Sequence, residues 1–205
     1  MLWLITGGIA SGKSLFADRL AASVGREGIR MSCPAFPPRG GGTADAPSRE
    51  RSDFAWLRTD ADASLASKLR AVNRESNVYR ADQRVVVVDS LSGWLRGLMA
   101  DAGRGRRKKR ADAIPDEAGR MFDEVLDELL AFQGRLIVVA EEPAIGLSPD
   151  PKSEWFAFRL ATASRALSER SRATYRLTAG IATELKGYRV IREEPKNETI
   201  YEDGR

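Results

Sequence analysis

The chain has 205 residues, of which 42% are hydrophobic, and this suits one medium-sized domain with its own core. It contains no histidine and one cysteine, Cys33, which excludes histidine-based catalytic triads, histidine-ligated zinc and an intrachain disulfide. The formal net charge is +4, but six of the 33 basic residues lie in one run, Arg104 and 106–110. The excess of positive charge is therefore local, and it gives little support for nucleic acid as a partner.

The N-terminal stretch predicts neither a signal peptide nor a membrane anchor. No apolar run in the sequence approaches the ~20 residues of a membrane span. The first apolar stretch, residues 2–5, is not preceded by a basic region. We therefore expect a cytoplasmic protein that does not use a membrane as a partner.

The first predicted elements are a strand and a helix joined by a glycine-rich loop. Residues 2–5 have strand length, apolar residues recur at helical spacing over 15–24, and Gly25 stands where a C-terminal cap is expected. The loop between them matches G-x-x-x-x-G-K-[ST], the phosphate-binding P-loop. Its residues are Gly7, Gly8, Ile9, Ala10, Ser11, Gly12, Lys13 and Ser14.

Each fixed position of this loop has a physical task. Gly7 and Gly12 allow the tight bends that turn successive N–H groups toward phosphate oxygens. The positive end of the helix dipole lies near Lys13, whose ammonium group can reach the β- and γ-phosphates. The hydroxyl of Ser14 can ligate Mg²⁺. The alternative is a glycine-rich turn that binds nothing, but the strand–loop–helix setting favours a site for a nucleoside triphosphate such as ATP or GTP.

The next part of the chain contains a long loop and then a buried strand. Four prolines and three consecutive glycines within residues 34–47 exclude a regular element, and we predict a mobile loop over 34–53. Short strands are predicted on either side of this loop, over 29–33 and 54–58. A helix follows that carries Leu65, with Thr59 or Asp60 as its cap.

Residues 84–89 give the second clear signal. A continuous run of valines is typical of a strand that is buried on both faces of a parallel sheet. Asp89 follows at the carboxyl end of that strand, where open α/β sheets place their ligands. A carboxylate there can hold Mg²⁺ directly or through water. The alternative is that Asp89 caps the helix predicted over 91–99.

The remaining elements complete an alternation of strands and helices. This alternation predicts an α/β fold that is P-loop NTPase-like, with a mostly parallel central sheet flanked by helices, in one domain over 1–186. The remaining predicted elements are helices over 115–132 and 151–171, strands over 136–140 and 174–178, and a polar extension or hairpin over 187–205. Residues 103–110 are predicted to form a basic linker, and the alternative is that they contact phosphates or an acidic partner.

Three stretches together carry a family resemblance. They are LITGGIASGKS at 4–14, VVVVDSLSGWLRGLM at 85–99 and VVAEEPAIGLSP at 138–149. In this order they resemble the bifunctional adenosylcobinamide kinase / adenosylcobinamide-phosphate guanylyltransferase family of cobalamin biosynthesis. Phe158 and Arg159 also match part of that family's Phe-Arg-Asp helix.

The resemblance implies phosphoryl transfer from ATP or GTP to the aminopropanol hydroxyl of adenosylcobinamide, with Mg²⁺ and in a homo-oligomer. By this resemblance Lys13 and Asp89 belong to the catalytic set. Glu142 is then a second carboxylate, which polarises the acceptor hydroxyl or supports Mg²⁺. Arg159 neutralises charge on the transferred group or, in the alternative, forms a structural salt bridge.

The sequence departs from the family pattern where the second activity is expected. The family's guanylyl transfer holds the nucleotide on a histidine, and this chain has none. Arg49 stands near that position and, being always protonated, cannot act as a nucleophile. Leu160 replaces the aspartate of the Phe-Arg-Asp helix. We therefore predict a kinase without guanylyltransferase activity. The alternatives are a nucleotide-binding regulatory or scaffold homologue and, more weakly, a nucleic-acid-associated NTPase based on 103–110.

Overall fold

A computed structural model describes residues 1–33, 54–75, 83–104, 116–142 and 150–187. Within these ranges the chain forms seven strands and five helices, which alternate along most of its length. In chain order they are β1 (Leu2–Gly7), α1 (Lys13–Val24), β2 (Glu27–Ser32), β3 (Ala55–Asp60), α2 (Leu65–Glu75), β4 (Arg84–Asp89), α3 (Leu91–Arg104), α4 (Asp116–Ala131), β5 (Arg135–Val139), α5 (Pro151–Arg170), β6 (Ala173–Thr178) and β7 (Ile181–Lys186).

The strands form one sheet in the order β3-β2-β4-β5-β1-β6-β7. Every neighbouring pair is parallel except β6 and β7, which are antiparallel. The valine run of β4 is buried on both faces, as its composition predicts, because helices cover both sides of the sheet. The mostly parallel α/β fold predicted from the sequence is confirmed.

Two hydrophobic cores lie on opposite faces of this sheet. The larger core contains residues of α2, α3, α4 and α5, and its centre includes Trp94, whose ring stacks on Phe122. The smaller core contains residues of α1, whose Ala17 and Ala21 are fully buried against the sheet. Small side chains at these two positions allow α1 to lie close to the strands, so its first turn is held firmly at the sheet edge.

The sheet has one edge strand, β7, that the sequence did not predict. The sequence predicts a last strand over 174–178, whereas the chain turns back through Ala179 and Gly180 and adds β7. Both turn residues have positive φ, 50° and 83°. Alanine rarely adopts a positive φ, so the sequence does not show the Asn-Gly, Asp-Gly or Gly-Gly pair that usually marks such a two-residue hairpin turn. The hairpin predicted within 187–205 lies outside the described residues.

Several predicted boundaries also change. β3 extends to Asp60, so Thr59 and Asp60 belong to the strand and do not cap α2. α3 continues to Arg104, so the predicted basic linker cannot begin at residue 103. The rest of that basic run and the predicted 34–53 loop lie outside the described residues. Among the described helices, none has both the length and the apolar character needed to span a membrane.

Gly25 follows α1 at the predicted cap position, but its backbone is extended, with φ −143°, and not left-handed. Its N–H group donates to the carbonyl oxygen of Ala21. A Cβ atom at this position would lie 2.4 Å from Cγ2 of Val85 and 2.9 Å from the carbonyl oxygen of Gln83. The glycine is therefore required by the close approach of the chain to β4.

Candidate nucleotide site

The P-loop connects β1 to α1 at the carboxyl edge of the sheet, as the motif predicts. Gly12 has φ 94°, a left-handed conformation that suits glycine, and the helix begins at the next residue, Lys13. Ser11 donates its backbone N–H to the carbonyl oxygen of Gly8 at 3.3 Å, which closes the loop. The loop is thus folded as a compact turn ahead of a helix N-terminus.

Gly7 is the position of this loop that is least able to accept a side chain. Its φ is 144°, and a Cβ atom there would lie 2.4 Å from the carbonyl oxygen of Leu177 on β6. Gly8, the next residue, would accept a Cβ with no atom within 4 Å. The first glycine is therefore fixed by packing against the neighbouring strand, and the second is not.

We expect Gly7→Ala to lower the free energy of unfolding by about 1–3 kcal/mol, because backbone must move to relieve the overlap with Leu177. Gly8→Ala is the matched control and should change this free energy by no more than about 0.5 kcal/mol. Urea denaturation followed by circular dichroism measures both. Equal stability of the two variants would contradict the packing that the structure shows around Gly7.

The loop has donors that suit an anion. No side chain caps the N-terminus of α1, and its first turn carries no acidic residue. The first N–H groups of the helix thus point toward the loop without a side-chain acceptor. The hydroxyl oxygen of Ser11 is buried and has no hydrogen-bond partner among the described residues. A buried hydroxyl without a partner is unfavourable, and a phosphate oxygen would satisfy it.

Lys13 lies at the centre of the site and is only 7% exposed. Its Nζ donates to the carbonyl oxygen of Gly8 at 2.5 Å, within the loop itself. Burial lowers the pKa of Lys13, and the nearby carboxylates of Glu141, Asp89 and Glu142 partly oppose this. Lys13 is thus a desolvated cation whose charge is supported by three carboxylates in its surroundings.

Asp89 ends β4, and its side chain is 9% exposed. Its Oδ2 atom accepts a hydrogen bond from Nη2 of Arg30 at 2.5 Å. The alternative role of Asp89 as a helix cap is wrong, because the hydroxyl of Ser90 caps α3 by accepting from the backbone N–H of Gly93 at 3.1 Å. The carboxylate of Asp89 is therefore directed toward Arg30 and not toward the helix N-terminus.

Glu142 adjoins the base of the P-loop. Its backbone N–H donates to the carbonyl oxygen of Gly7 at 3.1 Å. Its Oε1 accepts from the hydroxyl of Thr6 at 3.2 Å, and its Oε2 accepts from Nη2 of Arg176 at 2.9 Å. The structure thus brings Glu142 beside the loop, as the sequence predicts, and adds two partners from β1 and β6 that hold it there.

Glu141, which the sequence analysis did not single out, adds a negative charge in the surroundings of Lys13. Its side chain is largely buried and is paired with Arg96 of α3, with 3.0 Å between Nη1 and Oε2. Its backbone N–H donates to the buried hydroxyl of Ser92 at 3.3 Å. Two consecutive acidic residues follow β5 in the sequence, and the family resemblance matches only the second of them, Glu142.

Residues 46–185 match the family model described as cobinamide kinase / cobinamide phosphate guanyltransferase. The chain belongs to this family. The "Bifunctional adenosylcobalamin biosynthesis protein CobP" of Pseudomonas aeruginosa is 29% identical over 191 residues, which cover 90% of this chain and 96% of that protein. The family match begins after the P-loop, so the geometry of residues 7–14 supports nucleotide binding independently of it.

Two ATPases resemble the chain distantly among solved structures. A prototypical ATPase of a bacterial type III secretion system gives a TM-score of 0.48 at 13% identity, over 86% of this chain and 51% of that one. The ATPase EscN from enteropathogenic E. coli gives 0.45 at 13% identity, over 87% and 43%. The chain spans about half the length of the first ATPase and less of the second, and likeness at this level carries no functional meaning.

Arg159 stands apart from the other predicted site residues of this cobinamide kinase family member. Its Nη1 donates to Oδ1 of Asp123 on α4 at 2.7 Å, and its guanidinium lies 5.5 Å from the ring centre of Trp155. Among the described residues, no contact links it to the P-loop. The geometry favours the structural salt bridge that the sequence left open as an alternative.

Cys33, the single cysteine, follows β2 by one residue, and its backbone N–H donates to the carbonyl oxygen of Asp89 at 2.6 Å. Burial raises the pKa of its thiol well above the ordinary value, and the negative charge of Asp89 adds to the effect. A thiol of this kind stays protonated near neutral pH, so it is a poor nucleophile.

The donors present suit Mg²⁺. Ser14 is exposed in the first turn of α1, and Asp89 supplies a carboxylate at the carboxyl end of β4. In the part of the chain that the structure describes, no group of three carboxylate or thiol side chains forms a metal cage. Mg²⁺ is usually held by one or two protein oxygens together with substrate phosphates and water, and this donor set fits that pattern.

Proposed function

We propose that this family member is a P-loop kinase that transfers a phosphoryl group from ATP or GTP to the aminopropanol hydroxyl of adenosylcobinamide. The observation that carries the proposal is the buried Lys13, whose Nζ donates to Gly8 within the phosphate-binding loop at the start of α1. Family membership over residues 46–185 supports the corrinoid as the acceptor. The two arguments come from different parts of the chain.

Phosphoryl transfer depends mainly on positioning and on charge stabilisation, and the loop supplies both. The first N–H groups of α1 and the hydroxyl of Ser11 bind phosphate oxygens. Lys13 exchanges its hydrogen bond to Gly8 for the β- and γ-phosphates, which need its charge more than a neutral carbonyl does. In this proposal Lys13 changes its hydrogen-bond partner on binding, while the N–H groups of α1 and the hydroxyl of Ser11 need no such exchange.

Ser14 and Asp89 would hold the Mg²⁺ ion that neutralises developing charge on the phosphates. Glu142 would orient the acceptor hydroxyl, since it is fixed beside the loop by Thr6 and Arg176. Charge neutralisation by Arg159 stays a prediction, and its pair with Asp123 supports the structural alternative.

The wider setting is also part of the proposal. We place residues 1–186 in one nucleotide-binding domain, with 187–205 as an extension, because the sheet and both cores lie within the first range. A corrinoid is large, and an open site shared between subunits of a homo-oligomer would accommodate it. The cytoplasm is the compartment that supplies the nucleotide.

We expect no covalent GMP adduct after incubation with Mg-GTP, because the chain has no histidine to carry the nucleotide. The measurement is intact-protein mass spectrometry, with a sample incubated with GDP as the control for non-covalent carry-over. An added mass equal to GMP, resistant to denaturation, would show that another side chain has become the nucleophile, and the loss of guanylyl transfer would be wrong.

The test of the proposed function is product identification after incubation with adenosylcobinamide and equal amounts of Mg-ATP and Mg-GTP. We expect the phosphorylated corrinoid and no GDP-linked corrinoid. The amounts of ADP and GDP that are formed with it show whether ATP or GTP is the preferred phosphoryl donor. Nucleotide binding without any corrinoid product would favour the second candidate, a nucleotide-binding regulatory or scaffold homologue. The lost histidine and Leu160 are the features that keep this candidate open.

A further inference from the structure

Arg30 is a buried arginine in the middle of β2, with a side chain that is 8% exposed. It pairs in register with Val87 of β4. Its neighbours Ile29 and Met31 belong to the larger core, whereas Val87 belongs to the smaller core that α1 covers. Because side chains alternate along a strand, the guanidinium of Arg30 lies on the α1 face of the sheet.

The guanidinium of Arg30 bridges two carboxylates from different elements. Its Nη1 pairs with Oδ1 of Asp18 on α1, and its Nη2 pairs with Oδ2 of Asp89 at 2.5 Å. The side chains of both aspartates are mostly buried, at 16% and 9% exposed. A planar guanidinium can hold two carboxylates in a fixed geometry, whereas an ammonium group lacks this fork.

The two bridged elements are those that carry the proposed nucleotide site. Asp18 lies about one and a half helical turns after Lys13, so its bond to Arg30 fixes the start of α1. Asp89 closes β4 at the same edge. Arg30 occupies Oδ2 of Asp89, and among the described residues none donates a hydrogen bond to Oδ1. One carboxylate oxygen is thus anchored by Arg30, and within the described residues the other is open to a ligand.

We propose that Arg30 is a positioning residue, which holds the carboxylate of Asp89 and the first turns of α1 in the geometry that binds the magnesium–nucleotide complex. This inference rests on the proposed function, and it adds a residue that neither the P-loop pattern nor the resemblance includes. Partners that orient a metal-binding carboxylate commonly change metal affinity 10- to 100-fold when they are removed. Arg30 acts in this way through Asp89, and it does not contact the reacting atoms.

The experiment compares nucleotide affinity with and without the metal. Calorimetry gives the Kd for ATP in excess Mg²⁺ and in a chelator. The Kd in the chelator divided by the Kd in Mg²⁺ measures how much the metal strengthens binding. For Arg30→Met we expect this ratio to fall by about 10-fold or more. Arg30→Lys should lower it less, because an ammonium group keeps the charge but cannot hold both carboxylates.

Arg84→Met is the matched control. Arg84 also joins β2 to β4, through a pair with Glu27 at 2.8 Å, but this pair lies at the opposite edge of the sheet. The variant therefore removes an arginine and an ion pair between the same two strands without touching the proposed site. Its ratio of Kd values should equal that of the wild type.

Loss of a buried partner is destabilising, so folding is checked by circular dichroism. If Arg30→Met does not fold, Arg30→Lys and Asp18→Asn decide the question by the same ratio. A folded variant with the wild-type ratio would overturn the proposal, and so would a raised ratio, which would make Arg30 a competitor of the metal. Wild-type protein whose ATP affinity does not respond to Mg²⁺ would instead overturn the proposed function itself.

Discussion

Lys13→Ala should abolish measurable binding of ATP and GTP, with an affinity loss of about 100-fold or more, equivalent to ~3 kcal/mol. The lysine is the one cation that the P-loop pattern places at the β- and γ-phosphates, and it is held in a desolvated position, where electrostatic interactions are strong. Turnover should fall at least as far, because removal of one charge-stabilising donor commonly costs 10²- to 10³-fold. Isothermal titration with Mg-ATP is the direct measurement.

The stability of the Lys13 variants separates a lost contact from a damaged fold. Burial lowers the pKa of Lys13, so its charged form is less favourable in the folded chain than in the unfolded one at neutral pH. We therefore expect Lys13→Met, which keeps the volume and removes the charge, to unfold at a temperature no lower than the wild type. Tight Mg-nucleotide binding by a folded Lys13 variant would contradict the assignment of the P-loop.

Asp89→Asn should lower Mg²⁺-dependent turnover by about 10²- to 10³-fold while nucleotide binding in a chelator changes little. The amide keeps the shape of the side chain but removes the negative charge that a cation requires. It also weakens the pair with Arg30, so a stability loss of about 1–3 kcal/mol is expected as well. The measurement is the steady-state rate as a function of Mg²⁺ concentration.

Asp123→Asn is the matched control for Asp89→Asn. Asp123 also accepts from an arginine, Arg159, at 2.7 Å, but this pair joins α4 to α5 on a half-exposed surface. The turnover of the Asp123→Asn variant should stay within about twofold of the wild type, since exposed ion pairs contribute little to stability. Equal losses in the two aspartate variants would contradict a special role for Asp89 and would return Arg159 to the catalytic set.

The parts of the site that depend on local sequence were predictable. The P-loop lies within one short stretch, where strand, glycines and helix follow in order, and its geometry needs no distant contact. Asp89 was predictable for a related reason. The valine run identifies β4 as a central strand, and the end of such a strand lies at the ligand edge of the sheet.

The remaining parts depend on how distant segments pair, which the sequence does not encode locally. Arg30 is an ordinary strand residue until the parallel register of β2 and β4 sets it beside Val87 and within reach of Asp89. By resemblance Arg159 was expected to neutralise charge on the transferred group or to form a structural salt bridge, and the packing of α5 on α4 pairs it with Asp123. β7 was missed because its turn uses an alanine with positive φ.

The central claim is most directly tested by a steady-state assay of phosphorylated corrinoid with purified protein, adenosylcobinamide and Mg-ATP or Mg-GTP, run beside Lys13→Ala. The account predicts that the wild type forms the product and that the variant does not. Tight nucleotide binding by the wild type with no phosphorylated corrinoid would contradict it, and would leave either a different acceptor alcohol or a nucleotide-binding protein without catalysis.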